Sequence, residues 1–214
     1  MGATEVSHCF PLNGNIVDPT IEGAECVISN YREKLPVIEF AGPTLYGPLL
    51  EQFMDYVQTN KANQIYSILL MVTDGLADDF SRAKDILVQL SALPASVVIV
   101  GVGNADFSKM EELDGDEKKL TTDMGFACHR DIVNFVSYKD AQLRGDMGAQ
   151  VLKEIPDQVC SYMRLMGFNL QVEKKQDPEL ETDEDMREPL LRESLNERII
   201  TTDDNDLSEK LIQP

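Results

Sequence analysis

The chain has 214 residues, of which 43% are hydrophobic and 27% charged, enough for one globular domain and short for two. Its formal net charge is −19, which disfavours nucleic acids and anionic lipid surfaces as direct partners, because both repel negative potential, and favours cationic partners or divalent metals. No apolar run approaches the roughly 20 residues that cross a bilayer, so we expect a soluble cytoplasmic protein.

The first predicted elements lie upstream of residue 45. Residues 6–11 (VSHCFP) predict a short strand, and a turn-rich loop follows it. Thr20 has the side chain of an N-cap and is expected to begin an amphipathic helix. A second short strand is expected over residues 37–41. It leads into a polar loop formed by Gly42, Pro43 and Thr44.

The middle of the chain alternates amphipathic helices with an apolar strand. A helix should follow Pro48, whose fixed φ suits a first helical turn. The apolar run of residues 66–75 (YSILLMVTDG) predicts a buried strand that ends in Asp74 and Gly75. The next helix is expected over residues 79–93.

Two further strands and two helices are predicted before residue 170. Residues 95–103 (ASVVIVGVG) predict a continuous apolar strand of the kind that is buried on both faces. A short helix is expected over residues 107–113 and a third strand over residues 131–138. Residues 145–166 predict the longest helix, with a kink at Pro156 because proline lacks the N–H that would continue the ladder.

The composition changes near residue 173. From there to the end, 14 acidic residues stand against 6 basic ones, with few aromatic residues and no steady periodicity. We therefore divide the chain into a folded domain over residues 1–170 and an acidic disordered tail over residues 171–214, with at most a transient helix near residues 189–199. The tail acts either as a solvated extension or as a docking peptide.

The order strand, helix, strand repeats between residues 65 and 166, which predicts a parallel α/β sheet with right-handed connections. Asp74 then lies at the carboxyl edge of that sheet, where open α/β sheets bind their ligands. A binding or metal site is expected there.

The chain has four cysteines with no CxxC spacing: Cys9, Cys26, Cys128 and Cys160. We expect free thiols in a reducing compartment, buried as small hydrophobic side chains. Two of them have a neighbouring histidine, in the pairs His8-Cys9 and Cys128-His129. A zinc quartet from these pairs is the alternative, and it is disfavoured because neighbours along a strand point to opposite faces.

Six blocks of the sequence resemble the A-type domain of copines. The resemblance spans residues 2–168, and the blocks follow in order with family-like spacing: VSHCFPLNGN at 6–15, AGPT at 41–44, YSILLMVTDG at 66–75, LPASVVIVGVGNADFSKMEELDGD at 93–116, RDIVNFVSY at 130–138 and EIPDQVCSYM at 154–163. The resemblance implies a doubly wound, mostly parallel sheet similar to von Willebrand factor A domains.

The resemblance also implies a metal-ion-dependent adhesion site at the carboxyl edge. Thr44 and Asp74 match the second and third loops of that site, whereas nothing matches its first loop, Asp-x-Ser-x-Ser. Mg²⁺ prefers about six oxygen ligands, so we expect weak affinity for Mg²⁺ or Mn²⁺. Asp78 and Asp79 either lend charge to this site or cap the helix that follows them. Partner binding is expected at Gly42, Pro43, Thr44, Asp74 and Gly75.

By comparison with the family, two strands and one helix are missing, because the start of this chain corresponds to the stretch that leads into the third strand of the family's fold. The chain is then incomplete at its N-terminus, and Ile68, Leu70 and Val72 should lie on an unpaired apolar edge through which chains can associate. A truncated gene model or splice product is the favoured explanation; a fragment completed by another chain and a minimal variant are the alternatives. The calcium-sensing C2 domains of copines are also expected to be absent.

The function that the resemblance implies is a non-enzymatic intracellular protein-interaction module. The family is associated with calcium-dependent phospholipid binding through C2 domains and with the plasma membrane, but this chain alone should not bind membranes. One alternative is the recognition domain of a copine-like ubiquitin ligase without its RING finger. Another alternative is a phosphotransfer enzyme, which needs two acids spaced Asp-x-Asp, but Val72 stands where the second acid is needed. A third is a nucleotide-binding protein, but Asp106 stands where the dinucleotide-binding fingerprint needs its third glycine.

Overall fold

The computed structural model describes residues 6–75, 77–115 and 118–168. The predictions for the acidic tail, residues 171–214, lie outside these residues. The described elements, in chain order, are α1 (Ala24–Lys34), a 3₁₀ turn (Leu35–Val37), α2 (Gly47–Asn60), a 3₁₀ turn (Lys61–Asn63), β1 (Ser67–Thr73), α3 (Phe80–Leu90), β2 (Ala95–Gly101), α4 (Ser108–Asp114), β3 (Val133–Ser137), α5 (Tyr138–Arg144), α6 (Met147–Leu152) and α7 (Ile155–Leu165). None of the described helices is long and apolar enough to span a bilayer.

The three described strands form a parallel sheet in the order β1-β2-β3. Ser67 pairs with Ala95 across the first ladder, and Val97 pairs with Val133 across the second. Every residue of the central strand β2 is buried, as its continuous apolar run predicts. The α/β class and the parallel sheet are therefore confirmed.

Helices cover both faces of β2. On one face, Met71, Val97 and Ile99 belong to a single core cluster with Leu50 and Val57 of α2. That cluster also receives the apolar side of α3, which comprises Ala83, Ile86, Leu87 and Leu90. On the other face, Val98 and Val100 are buried, and α7 packs against β2.

The edge strand β1 is covered on one face only. Met71 is buried, whereas Ile68, Leu70 and Val72 are 49%, 56% and 65% exposed. Within the described ranges no strand pairs with the free edge of β1, since β2 is its single neighbour in the sheet. The predicted exposure of the Ile68, Leu70 and Val72 side chains is therefore confirmed.

The N-terminal predictions are wrong in three places. Residues 6–11 and 38–41 form neither strand nor helix, and the 3₁₀ turn Leu35–Val37 occupies the start of the second predicted strand. The first helix begins at Ala24, after Gly23, so Thr20 does not cap it. The intervening loop folds on its own side chains instead. The Asn13 amide donates to the Asp18 carbonyl at 2.9 Å, a local bond that competes with regular structure.

The long kinked helix over residues 145–166 is also wrong. Two shorter helices, α6 and α7, occupy this part of the chain. Pro156 lies in the first turn of α7. Proline is tolerated there because the N–H groups of a first turn have no acceptor within the helix. Gly145, with a left-handed φ of 76°, ends the preceding helix α5, and the apolar periodicity that starts at Val151 joins two separate helices, α6 and α7.

A buried arginine holds the end of the sheet opposite the predicted site. Arg130 is 7% exposed, and its guanidinium donates to the carbonyl oxygens of Leu93, at 2.6 Å, and Ala95. It also donates to the Gln158 carbonyl of α7 at 3.2 Å. The rings of Tyr66 and Tyr162 flank the guanidinium, with their centroids 5.7 and 5.4 Å from Arg130 Cζ. Arg130 thus joins the starts of β1 and β2 to α7.

Replacing Arg130 should weaken this junction strongly. We expect Arg130→Ala to lower the free energy of unfolding by about 3–5 kcal/mol, because it leaves several buried carbonyl groups without their donor. Urea denaturation followed by circular dichroism measures the change. The control is Arg32→Ala on the exposed surface of α1, which should alter stability by less than about 0.5 kcal/mol. Equal effects of the two substitutions would contradict the role of Arg130.

Candidate functional site

The two loops that the sequence singles out lie beside the carboxyl end of β1 and the beginning of α2. Asp74 follows the last residue of β1, and the loop of Gly42, Pro43 and Thr44 precedes α2. The Gly42–Pro43 peptide bond is cis. Thr44 and Asp74 are both exposed, so their polar groups are accessible to a partner.

Asp78 joins the two loops through a reciprocal pair of hydrogen bonds. The Thr44 backbone N–H donates to Asp78 Oδ2 at 2.8 Å. In return, the Asp78 backbone N–H donates to the Thr44 carbonyl oxygen, also at 2.8 Å. These bonds connect segments 34 residues apart in the chain, and the bond to an ionised carboxylate is the stronger kind.

Asp79 caps the N-terminus of α2 from across the site. Its Oδ1 accepts the Tyr46 N–H and its Oδ2 accepts the Gly47 N–H, each at 2.8 Å. The first N–H groups of a helix have no partner within the helix, and a negative charge is favoured there. The expectation that Asp79 caps its own helix is wrong, because no side-chain bond caps α3.

The cap depends on the absence of a side chain at Gly47. A Cβ atom at this position would lie 2.6 Å from Asp79 Oδ2 and 2.8 Å from Arg82 Cδ. Arg82 forms an ion pair with Glu51 of α2, in which Arg82 Nη2 lies 2.7 Å from Glu51 Oε1. Gly47 therefore allows the start of α3 to approach the backbone of α2 closely.

Tyr46 ties the start of α2 to the end of β1. Its side chain is buried, and its hydroxyl donates to the Gly75 carbonyl at 2.7 Å. The same hydroxyl lies 2.6 Å from Thr73 Oγ1. Burial raises the pKa of Tyr46 above its ordinary value, and the nearby charges of Asp74 and Asp79 raise it further. Tyr46 is therefore a neutral hydrogen-bonding link at physiological pH.

These contacts leave two polar groups at the surface unused. Among the described residues, no hydrogen bond involves the Thr44 hydroxyl or the Asp74 carboxylate, whereas Asp78 and Asp79 are occupied by backbone amides. No cluster of three or more histidine, cysteine or acidic side chains suited to a metal ion occurs in the described ranges. The roles of Thr44 and Asp74 as metal ligands, and of their loops in partner binding, stay predictions.

Tyr46, Gly47 and Asp79 are the structural residues of the site that the sequence did not reveal. Two acids before a helical pattern indicate a cap of that same helix. No local pattern indicates that Asp79 binds a helix 32 residues earlier in the chain. Only the packing of α2 beside α3 brings these groups together.

The cysteines differ in their surroundings. All four are free thiols, as expected, and Cys128 is buried, whereas Cys9 and Cys26 are exposed. The prediction of burial is wrong for these two because the segment of residues 6–34 places no residue in the core cluster. Burial raises the pKa of the Cys128 thiol, which favours its neutral form.

Comparison with known proteins gives one consistent family. The family model described as Copine matches residues 1–171. The chain is 39% identical to Copine-A of Dictyostelium discoideum over 170 residues, which are 78% of this chain and 28% of that protein. It is 39% identical over 168 residues to Protein BONZAI 1 of Arabidopsis thaliana, covering 76% and 29% of the two chains. Protein BONZAI 2 is 40% identical over 164 residues, or 74% and 28%.

We predict that the cap on α2 contributes measurably to stability. Asp79→Ala should lower the free energy of unfolding by about 2 kcal/mol, because it removes the acceptor of two backbone donors. The control is Asp85→Ala, an exposed acid on the same helix α3, with an expected change within about 0.5 kcal/mol. Thermal unfolding by calorimetry measures both. A change for Asp79→Ala as small as that of the control would show that the cap is not formed.

Proposed function

The chain belongs to the copine family, and from this premise we propose that its described domain is a non-enzymatic intracellular interaction module that recruits proteins at the carboxyl edge of its sheet. The contact surface comprises Gly42, Pro43, Thr44, Asp74 and Gly75. The chain spans less than a third of the length of Copine-A, Protein BONZAI 1 and Protein BONZAI 2, so activities of whole copines are not assigned to these residues.

One observation carries the proposal. The two loops are held by bonds from Asp78, Asp79 and Tyr46 that use buried or backbone groups. The Thr44 hydroxyl and the Asp74 carboxylate remain exposed and take no part in that scaffold. Exposed polar groups on loops fixed by a rigid scaffold are the usual arrangement at binding sites.

The charge of the surface indicates the chemistry of the partner. Asp74, Asp78 and Asp79 follow one another closely in a chain whose net charge is −19. A partner that presents lysine or arginine beside a hydrogen-bond acceptor for Thr44 complements this surface, and opposite charge accelerates the encounter. Nucleic acids and anionic membranes are disfavoured for the same reason.

A divalent metal is not needed for such a contact. Thr44 and Asp74 supply two oxygen ligands, well below the about six that Mg²⁺ prefers. Asp78 and Asp79 already accept backbone N–H bonds. We therefore propose weak affinity for Mg²⁺ or Mn²⁺. We further propose that the chain acts in the cytoplasm, and that membrane association in a longer family member depends on other domains.

The test compares partner capture by the 214-residue chain and its variants. Proteins from a cytosolic extract are recovered on immobilised chain and quantified by mass spectrometry, in Mg²⁺ or in EDTA. We expect Asp74→Ala to reduce specific recovery about tenfold, because it removes one charge-assisted hydrogen bond. Thr44→Ala should reduce recovery less, and EDTA should change nothing.

Asp85→Ala is the matched control, because it removes the same charge from an exposed position outside the loops. Recovery by this variant should equal that of the unsubstituted chain. Equal recovery by Asp74→Ala and Asp85→Ala would overturn the proposed surface. Loss of recovery in EDTA that depends on Thr44 and Asp74 would overturn the metal-independent contact.

A further inference from the structure

Strand β3, Val133–Ser137, lies at the edge of the described sheet opposite to β1. The Val97 N–H donates to the Ile132 carbonyl at 2.7 Å, so the backbone groups of Ile132 and of every second residue after it point toward β2. Those of Val133 and Phe135 therefore point outward, away from the sheet. Outward backbone groups of an edge strand are a template on which another strand can pair.

The sequence of β3 has no feature of its own that keeps another strand away. The strand reads VNFVS and contains no charged residue and no proline, which are the usual devices that prevent an edge strand from pairing. Its two valines and its phenylalanine are among the residues that favour strands most. Protection of this edge must therefore come from groups outside the strand.

Three polar side chains from outside β3 occupy its outward backbone groups. Asp131 Oδ1 accepts the Val133 N–H at 3.2 Å, and Asp114 Oδ1 accepts the Phe135 N–H at 3.0 Å. The Val133 carbonyl oxygen accepts from Gln158 Nε2 of α7 at 3.4 Å. Helix α5 begins directly after the strand and ends the edge there. Side chains thus take the place that a neighbouring strand would occupy.

Asp114 occupies the middle of this edge. Phe135 is the central residue of β3, and Asp114 reaches its N–H from the last position of α4, 21 residues earlier in the chain. Asp131 lies too near the beginning of the strand to do the same. A carboxylate is a strong acceptor for a backbone N–H. It also places a negative charge where an incoming strand would bring its carbonyl oxygen, which it repels.

An aromatic contact fixes α4 beside β3. Phe107 directly precedes α4, and its ring centroid lies 5.5 Å from that of Phe135. Gly101 of β2 allows both rings to approach, because a Cβ atom there would lie 2.9 Å from Phe107 and 3.0 Å from Phe135. Phe135 is therefore held twice, through its ring at the beginning of α4 and through its N–H at the end of α4.

From these contacts we propose that the Asp114 carboxylate prevents β3 from pairing with β3 of a second copy of the chain. A second copy brings the same uncharged strand, and a two-fold contact between identical edges closes on itself. Loss of the carboxylate frees the central N–H of β3 and removes the charge beside it, so that pairing becomes favourable. This role is independent of the loops that contain Thr44 and Asp74.

Sedimentation velocity of the full chain over a concentration series tests the proposal, in added salt that screens the net charge of −19. Asp114→Ala should self-associate about tenfold more tightly than the unsubstituted chain. Asp114→Asn should associate less than Asp114→Ala, because the amide oxygen still accepts a hydrogen bond. The control, Glu111→Ala, removes the same charge from an exposed position on α4 and should sediment like the unsubstituted chain. A folded Asp114→Ala variant that sediments like this control would overturn the proposal.

Amide hydrogen exchange at Phe135, measured by NMR, tests the same contact at the strand itself. In the unsubstituted chain this amide should exchange slowly at every protein concentration, because its acceptor belongs to the same molecule. In Asp114→Ala it should exchange fast in dilute solution and regain protection as the concentration rises, because β3 of the second copy then supplies an acceptor. Fast exchange in the unsubstituted chain, or association of Asp114→Ala without protection of Phe135, would contradict the proposal.

Discussion

The bond between the Asp79 carboxylate and the first N–H groups of α2 is the constraint on which the candidate site depends. It holds the beginnings of α2 and α3 together, with both N–H···O distances at 2.8 Å. Asp78 adds its reciprocal bonds to Thr44, and Tyr46 reaches the end of β1. Asp78 and Asp79 thus have a structural role, and the Thr44 hydroxyl and the Asp74 carboxylate are the exposed groups that take no part in these bonds. A domain that binds partners through Thr44 and Asp74 needs this division between fixed and available groups.

The sheet has two ends and two edges with different physical character. At one end Arg130 joins the strands to α7 through buried carbonyl groups. At the carboxyl end the loops are polar, acidic and exposed. The free edge of β1 is apolar, and its outward backbone groups are unpaired among the described residues.

Much of the fold follows from local patterns in the sequence. The apolar runs at β1, β2 and β3 are long enough to predict strands, and their alternation with helices predicts a parallel sheet. The prediction of a buried strand is confirmed for β2 and is wrong for one face of β1, where Ile68, Leu70 and Val72 are exposed. The exposed row on β1 was predictable by comparison with the family. The prediction of two N-terminal strands was wrong because short apolar segments need a neighbouring strand to pair with. A local hydrogen bond from Asn13 favours a loop between them. The cap by Asp79 and the junction at Arg130 could not be predicted, because each joins residues that are more than 25 positions apart and have no local signature.

Amide hydrogen exchange at Tyr46 and Gly47, measured by NMR, tests the central constraint most directly. The first N–H groups of a helix have no partner within it, so protection of these two amides can come only from the Asp79 carboxylate. We predict slow exchange of both amides in the unsubstituted chain and loss of that protection in Asp79→Ala. Exchange of Tyr46 and Gly47 at the rate of an unprotected amide, with or without Asp79, would show that the Asp79 carboxylate does not hold the beginning of α2 and would contradict the central constraint.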